Sequence, residues 1–432
     1  MATGKTRRIG FVSTRLAGTD GVSLEATKWV DILSRLGHEC FALAGEVDWS
    51  AERAHVVPQA HFRHPEVRRL SDELFGIDAR SPETSERAQR LKELLKGHLY
   101  RFIRVFRLEL LIVENALAIP MNVPLGLALT EVIAESGIPA IGHHHDFVWE
   151  RQRFWPNAAG DYLRSAFPPT SSSVRHVVIN SIARAELARR TGASATLVPN
   201  VMDFGSPDAG GDHSAQAPAD GVRATLGIEP DETLVLQPTR VIPRKGIERS
   251  IELTCRLERP ATLVVSHASG DEGQDYETYL RSYAGLMGVR VVFAADVVAH
   301  LREEATDGQK VFALADVYRA ADLVAYPSIV EGFGNAFLEA VYHRCPIVVN
   351  RYDVFRTDIE PKGFKVLAFD GFIDEATVRR VQAVLENSAL RAQMIDHNFK
   401  LGEHYYSYDA LARHLSALLM DCPNDATWSE TC

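Results

Sequence analysis

The chain has no long apolar run, no paired-cysteine motif and no excess of positive charge, and each absence excludes a class of function. No stretch reaches the roughly 18 consecutive apolar residues of a membrane span. The best candidate, Asn115 to Thr130, is interrupted by Pro120, Asn122 and Pro124. The opening residues Met1 to Arg8 lead directly into a strand-like Ile9-Gly-Phe-Val-Ser13, without the apolar core of a signal peptide. The five cysteines (Cys40, Cys255, Cys345, Cys422 and Cys432) are far apart, odd in number and form no C-x-x-C pair. They indicate neither a disulfide framework nor a zinc site, and a reducing cytoplasm is the compartment expected. A net charge of −10 argues against a surface that tracks nucleic-acid phosphates, which needs a cationic balance. A local basic pocket for a small anion stays compatible with it.

What is present is a two-domain amount of material. The 432 residues correspond to two or three domains, and 46% hydrophobic against 24% charged residues is enough apolar material for two full cores. The dominant rhythm is a short apolar run, a glycine-containing turn and an amphipathic helix. It starts with a strand over Arg8 to Thr14, a loop to Val22 and a helix over Ser23 to Leu36, with Ser23 as N-cap and Gly37 as stop. Strand-like runs follow at Leu110 to Glu114, Ala140 to His144, His176 to Asn180 and Thr196 to Pro199. The rhythm breaks at Phe204 to Gly221, rich in glycine and proline and without an aliphatic residue larger than alanine after Phe204. It resumes at Thr233 to Pro238, Ala261 to Ser266, Arg290 to Ala294, Leu323 to Pro327 and Pro346 to Asn350. Alternating strands and helices predict parallel sheets covered by helices. The expected fold is α/β, with two Rossmann-like doubly wound domains facing each other across a cleft. Their expected bounds are 1–203, a linker at 204–221, and 222–390, with C-terminal helices over 391–432 that cross back to the first domain. Residues 85–107 form a basic amphipathic helix, read as core-facing with a solvated face, although such a helix also suits anionic lipid.

Two stretches carry chemistry. In Ala325-Tyr-Pro-Ser-Ile-Val-Glu331-Gly-Phe-Gly-Asn-Ala-Phe-Leu-Glu339 a strand ends at Pro327 and a helix starts near Gly334. Gly332 and Gly334 leave backbone amides open to a ligand, and the helix start adds donors and partial positive charge. Glu331 in the loop and Glu339 further down the helix would accept from hydroxyls at opposite ends of a polyhydroxylated ligand. About ninety residues upstream, Gln237-Pro-Thr-Arg240-Val-Ile-Pro-Arg-Lys245-Gly246 again joins a strand end to a helix. Arg240 and Lys245 there could neutralise a diphosphate. Alone, such a turn is simply a solvated basic loop; its topological equivalence to the Glu331 loop tips the reading toward a site. A third stretch, His143-His144-His145-Asp146, suggests a metal, but consecutive strand residues point to opposite faces, so three imidazoles cannot share one ion. No metal ligand is assigned.

Together these residues resemble the retaining glycosyltransferases of family 4, which have the GT-B architecture. The E-x7-E pattern of that family matches Glu331 and Glu339, and its Arg/Lys pair matches Arg240 and Lys245. Its PNxxD matches Pro199-Asn200-Val-Met-Asp203, its glycine loop falls on Gly18-Thr-Asp-Gly21, and its HD falls on His145-Asp146. The resemblance implies that Glu331, with Gly332, Phe333, Gly334 and Asn335, binds the donor hexose and Glu339 the ribose. It implies that Arg240 and Lys245 hold the diphosphate, that Gly18 and Gly21 flank a loop over the phosphate, and that His145 lies beside the transferred sugar. His145, Arg240, Lys245 and Glu331 are thus the expected catalytic set, and Asp20, Asn115, His144, Glu150 and Arg151 the expected acceptor contacts.

The implied reaction moves glucose or mannose from a nucleotide diphosphate sugar, UDP-glucose or GDP-mannose, to a small soluble acceptor of the glycosylglycerate kind. No tightly bound cofactor is expected, and a divalent metal is compatible with binding but not required for it. Neither nucleic acid nor an integral membrane is an expected partner; oligomerisation is left open. The sequence departs from the family in placing Thr-Asp between the glycines, in its triple histidine, and in Asn335 where an aliphatic residue is common. The competing readings are a non-catalytic sugar-nucleotide-binding protein and a GT-B sugar-nucleotide epimerase.

Overall fold

The computed structural model describes residues 6–206, 216–268, 275–299, 303–304 and 310–422. The chain divides into two compact units, one of Met1–Asn200 with Asp409–Cys432, the other of Val201–Tyr408. Among the described residues no helix is long and apolar enough to cross a membrane.

The first unit is built on seven strands, β1 (Arg8–Val12), β2 (Glu39–Ala44), β3 (Ala54–Val56), β4 (Leu110–Glu114), β5 (Ala140–His144), β6 (Val174–Val178) and β7 (Ala195–Leu197). Their order in the sheet is β3-β2-β1-β4-β5-β6-β7, and every pairing is parallel. Parallel strands covered on both faces read as continuous apolar runs, and β4, Leu-Leu-Ile-Val-Glu, is buried at all five positions. The second unit adds β8 (Thr233–Gln237), β9 (Ala261–Val265), β10 (Arg290–Phe293), β11 (Val298–Ala299), β12 (Glu303–Glu304), β13 (Lys310–Ala313), β14 (Leu323–Tyr326), β15 (Ile347–Asn350) and β16 (Leu367–Phe369). Six of these form a second parallel sheet, β10-β9-β8-β14-β15-β16, and β11, β13 and β12 form a small separate one. In each large sheet the strand order reverses once: between β1 and β4 in the first unit, and between β8 and β14 in the second. Open parallel sheets bind ligands outside the carboxyl ends of their strands at such reversals.

Several local expectations change. The first helix is Gly21–Arg35, and Asp20 rather than Ser23 is its N-cap, its carboxylate accepting from the amides of Val22 and Ser23. A carboxylate three residues closer to the strand end satisfies the first orphan donors of a longer helix, so Gly21 becomes helical and only Gly18 of the pair keeps a left-handed conformation, at φ +74. Within the segment read as a linker, residues 207–215 lie outside the described residues, and a helix, Gln216–Leu226, begins at its end. Pro218 sits in the first turn of that helix, where its missing amide costs no hydrogen bond. The helix Ser388–Tyr406 belongs to the second unit, and Asp409–Cys432 to the first.

The basic helix spans Pro82–Phe106 and buries Leu91, Leu95, Leu99, Phe102 and Ile103. Leu94 on the same helix is exposed. Lys92 and Lys96 bind Glu131 at 2.6 and 3.0 Å on the helix Val123–Ser136, and Lys96 also binds Glu135 at 2.5 Å. Its two lysines are therefore paired with a neighbouring helix.

Asn122 ties that neighbour to the rest of the unit. Its Oδ1 caps the amide of Leu125 at 3.1 Å, while its Nδ2 donates to the carbonyls of Gln59 and Ala60 at 2.9 and 3.0 Å. Asn122→Ala removes the cap and strips both carbonyls of a donor, so it should destabilise the first unit by at least about 1–2 kcal/mol. A lowered urea midpoint for that unit's unfolding transition is the expected readout.

Candidate active site

In the second unit β8 and β14 are hydrogen-bonded neighbours, with Leu323 opposite Val235 and Val324 opposite Leu236. The loops that leave their carboxyl ends are consequently side by side. After β8 the chain makes a short 3-10 turn, Pro243–Lys245, and enters the helix Ile247–Cys255 through Gly246 at φ +62. After β14 it runs through Glu331 and enters the helix Asn335–Tyr342 with Gly334 as N-cap. The amide of Ile329 donates to the carbonyl of Arg244 at 2.9 Å, and Arg244 Nη1 donates to the carbonyl of Val330 at 3.1 Å. Gln237 Nε2 fixes the carbonyl of Lys245 at 3.0 Å. Gly334 is required sterically: its φ is +123, and a Cβ there would lie 2.1 Å from the Tyr352 hydroxyl, which donates to the carbonyl of Phe333.

This scaffold brings Lys245 and Glu331 together. Lys245 Nζ binds Glu331 Oε1, Arg244 Nη1 lies 3.6 Å from Oε2, and the Glu331 side chain is only 10% exposed. Burial alone would raise the Glu331 carboxyl, but Lys245 outweighs it and holds the group below the ordinary carboxylate range. Burial lowers Lys245, and Arg244 and Arg240 reinforce that against the pull of Glu331. Arg240 itself is exposed at the same loop. Phe333 is buried and Gly332 exposed, while Asn335 opens the helix. Glu339 is the fifth residue of that helix, about one turn in. Its Oε2 accepts from the Tyr318 hydroxyl at 2.8 Å.

The first unit has a second charged cluster at its own reversal. Glu114, the last residue of β4, is fully buried, with His143 Nδ1 at 2.9 Å and His145 Nε2 at 3.4 Å from the same oxygen, Oε2. These ligand-type atoms lie within 4.8 Å of one another, a spacing that the two hydrogen bonds already account for. Burial would raise Glu114, but the two imidazoles overcome it and hold the carboxyl at about 2. Burial would lower His145, but Glu114 overcomes it, so that imidazole is held above its ordinary value. Trp29 stacks on His143 with ring centroids 4.2 Å apart. Asn115 follows in a left-handed conformation, φ 60, which asparagine tolerates better than most residues. From there its Oδ1 accepts from the His145 amide at 3.0 Å and its Nδ2 donates to Asp146 at 2.8 Å.

His144 is corrected as an acceptor contact. Strand alternation sends it to the opposite face from His143 and His145, where it is completely buried with Nε2 2.8 Å from His176 Nδ1. Glu150 closes a local turn by accepting from the Phe147 amide at 3.1 Å, and Arg151 is held by Asp146. The amides near Gly18 and Gly21 are also engaged: Gly18 donates to Asp48 at 3.1 Å, and Asp20 takes those of Val22 and Ser23. Beside Asp20 and Asn115 the structure adds two groups absent from the expected set, Glu114 and Arg15. Glu114 was visible in the sequence as the acidic end of an apolar strand; Arg15, in a loop, carried no signal of its own.

The family model for glycosyl transferases group 1 matches residues 220–401. The mannosylglucosylglycerate synthase of Thermotoga maritima is 30% identical over 95% of this chain and 99% of its own length. The mannosylglucosylglycerate synthase of Petrotoga mobilis is 29% identical over 83% of this chain and 86% of its own. Among solved structures, Anabaena HepE in complex with UDP and glucose matches with a TM-score of 0.63 and 14% identity, covering 96% of this chain and 99% of that one. That likeness concerns the fold.

Burial, reinforced by the other histidines around it, pushes His144 down, and burial pushes His176 down to about 4 against an ordinary 6.5. The unfolded chain therefore takes up protons below pH 6.5 that the folded unit refuses, and stability should fall as pH drops from about 6.5 to about 4, by about 3 kcal/mol for His176. His176→Asn, which removes the titrating group, should give a shallower slope in urea denaturation repeated across that range.

Proposed function

The chain belongs to the group 1 glycosyl transferases, and from that premise we propose that it moves a hexose from a nucleoside diphosphate sugar to a hydroxyl of a small glycerate-type acceptor, with retention of configuration. The observation that carries the reading is the contact of Lys245 with Glu331 at the strand reversal of the second unit. One ammonium adjoining both a sugar-binding carboxylate and a diphosphate would fix the sugar relative to its leaving group. We assign the donor to the second unit, with Glu339 on the ribose and Gly332 to Asn335 along the hexose, and the acceptor and His145 to the first.

In this reading the acceptor hydroxyl attacks on the face from which the diphosphate departs. A phosphate oxygen takes the proton, and no enzyme carboxylate forms a bond to the sugar. Arg240 and Lys245 stabilise the negative charge that grows on the leaving diphosphate, where preorganised cations act most strongly. The hexose of this reading is glucose or mannose, and the Thermotoga and Petrotoga relatives are named for a mannosyl product. A glycerate-type acceptor follows the names of those two relatives. The setting of this reading is the reducing cytoplasm expected from the widely spaced cysteines of the sequence. No resident metal or cofactor is assigned a role.

Two measurements test this. A panel of nucleotide sugars should contain one that raises the melting temperature of the purified chain and is consumed when a glucosylated glycerate is added; protection by none of them refutes the reading. Lys245→Ala should lower kcat by roughly 10²–10³-fold, the range seen when one preorganised charge-stabilising group is removed. An unchanged transfer rate in that variant would show that Lys245 does not assist departure of the diphosphate.

A further inference from the structure

The first unit carries a cavity of ≈ 200 Å³ at the carboxyl ends of β1 and β4, where its strand order reverses. Arg15 and Asp20 line it from the loop after β1, Glu114 and Asn115 from the end of β4, and Phe62 and Met121 supply apolar surface. Most small-molecule sites are larger, roughly 300–1,000 Å³, so the space suits a short polar fragment better than a nucleotide.

Its polar groups are only partly used. Glu114 is 0% exposed, both histidines approach its Oε2, and Oε1 is buried with no hydrogen-bond partner. A buried carboxylate oxygen left without a donor is unusual enough to require an explanation. Arg15 donates from Nη2 to Asp20 Oδ2 at 2.8 Å, its Nε has no partner, and its guanidinium carbon lies 5.6 Å from the centre of the Phe62 ring. Most of its planar fork of donors is therefore uncommitted. The two acids are already compensated. Asp20 caps the positive end of the helix Gly21–Arg35 and also accepts from Ser23 Oγ at 2.7 Å, while Glu114 is matched by its two imidazoles. One cation with donors to spare, beside an acceptor with no donor, complements a fragment bearing a carboxylate next to a hydroxyl.

We propose that this cavity is the hydroxy-acid pocket of the acceptor site, Arg15 taking the carboxylate and Glu114 Oε1 accepting from the neighbouring hydroxyl. The assignment rests on the glycerate-type reading above and locates it. A single Arg among acids favours a singly charged carboxylate over a phosphomonoester, which carries nearly two negative charges at neutral pH. His145, held by the same Glu114, then lies beside the bound acceptor, so the carboxylate that binds the hydroxyl also orients the imidazole.

The test compares kcat/KM of the full chain for three acceptors: a glucosylated glycerate, its neutral glycerol counterpart, and the same glycerate carrying a phosphate. Wild type should prefer the unphosphorylated acid. Arg15→Gln should cut the acid-to-neutral ratio by about tenfold or more, the worth of a lost charge-assisted hydrogen bond. A general folding or positioning defect would lower both rates and leave that ratio alone. Arg15→Lys, which keeps the charge but not the fork, should give an intermediate ratio and guards against a variant that does not fold. Glu114→Gln should depress the acid and the neutral acceptor together, since both carry the hydroxyl. An unchanged ratio in Arg15→Gln, or a wild-type preference for the phosphorylated acceptor, overturns the pocket while leaving the transferase reading intact. Transfer to none of the three by a protein still protected by a nucleotide sugar overturns the glycerate reading itself, and the pocket with it.

Discussion

The ion pair between Lys245 and Glu331 is the constraint around which the second unit is arranged. Two charges nearly removed from water are costly, and their attraction compensates only when the geometry is held. Here it is held by backbone: Ile329 to Arg244, Arg244 to Val330, and Gln237 to the carbonyl of Lys245. The first two of these ties exist because β8 and β14, far apart in sequence, are adjacent in the sheet. Replacing the pair with apolar groups would be tolerable for stability on physical grounds. Its presence is therefore better explained by what the two groups hold than by what they add to the fold.

The first unit solves a similar problem with different residues. Its reversal lies between β1 and β4, and the charge buried there is a carboxylate, Glu114, answered by histidines from the end of β5 and just beyond it rather than by a lysine. Asn115, in a conformation most residues avoid, turns the chain so that one side-chain amide serves both the His145 amide and Asp146. Asparagine tolerates that left-handed conformation better than most residues, so the turn is made without giving up the side chain that links the two groups. In each unit, then, the polar chemistry sits at the strand reversal, while the apolar runs of the strands keep the rest of the sheet dry.

The strand and helix rhythm was legible because parallel strands buried on both faces leave uninterrupted apolar runs. Leu110–Glu114 and Ala140–His144 lie where that pattern puts them. Short edge strands such as Ala54–Val56 and Leu367–Phe369 were not, because three residues carry too little pattern to separate from a loop. The N-cap lies three residues before Ser23 because Asp20 and Ser23 are both good caps, and only the backbone path selects between them. His144 is expected among the acceptor contacts, yet alternation along β5 turns it toward His176 and into the core.

By itself the sequence determined the α/β class, the candidate donor residues and their attachment to strand ends, since these follow from local pattern and from motifs a few residues long. Only the tertiary structure decided which of those residues meet. Strand order is set by packing between segments roughly 30 to 100 residues apart, and it is this order that brings Glu114 to His143 and His145, puts Arg15 and Glu114 around one cavity, and sets Lys245 on Glu331. No local pattern encodes such neighbours, because the free energy that selects them is released only when both sheets are assembled and their faces covered.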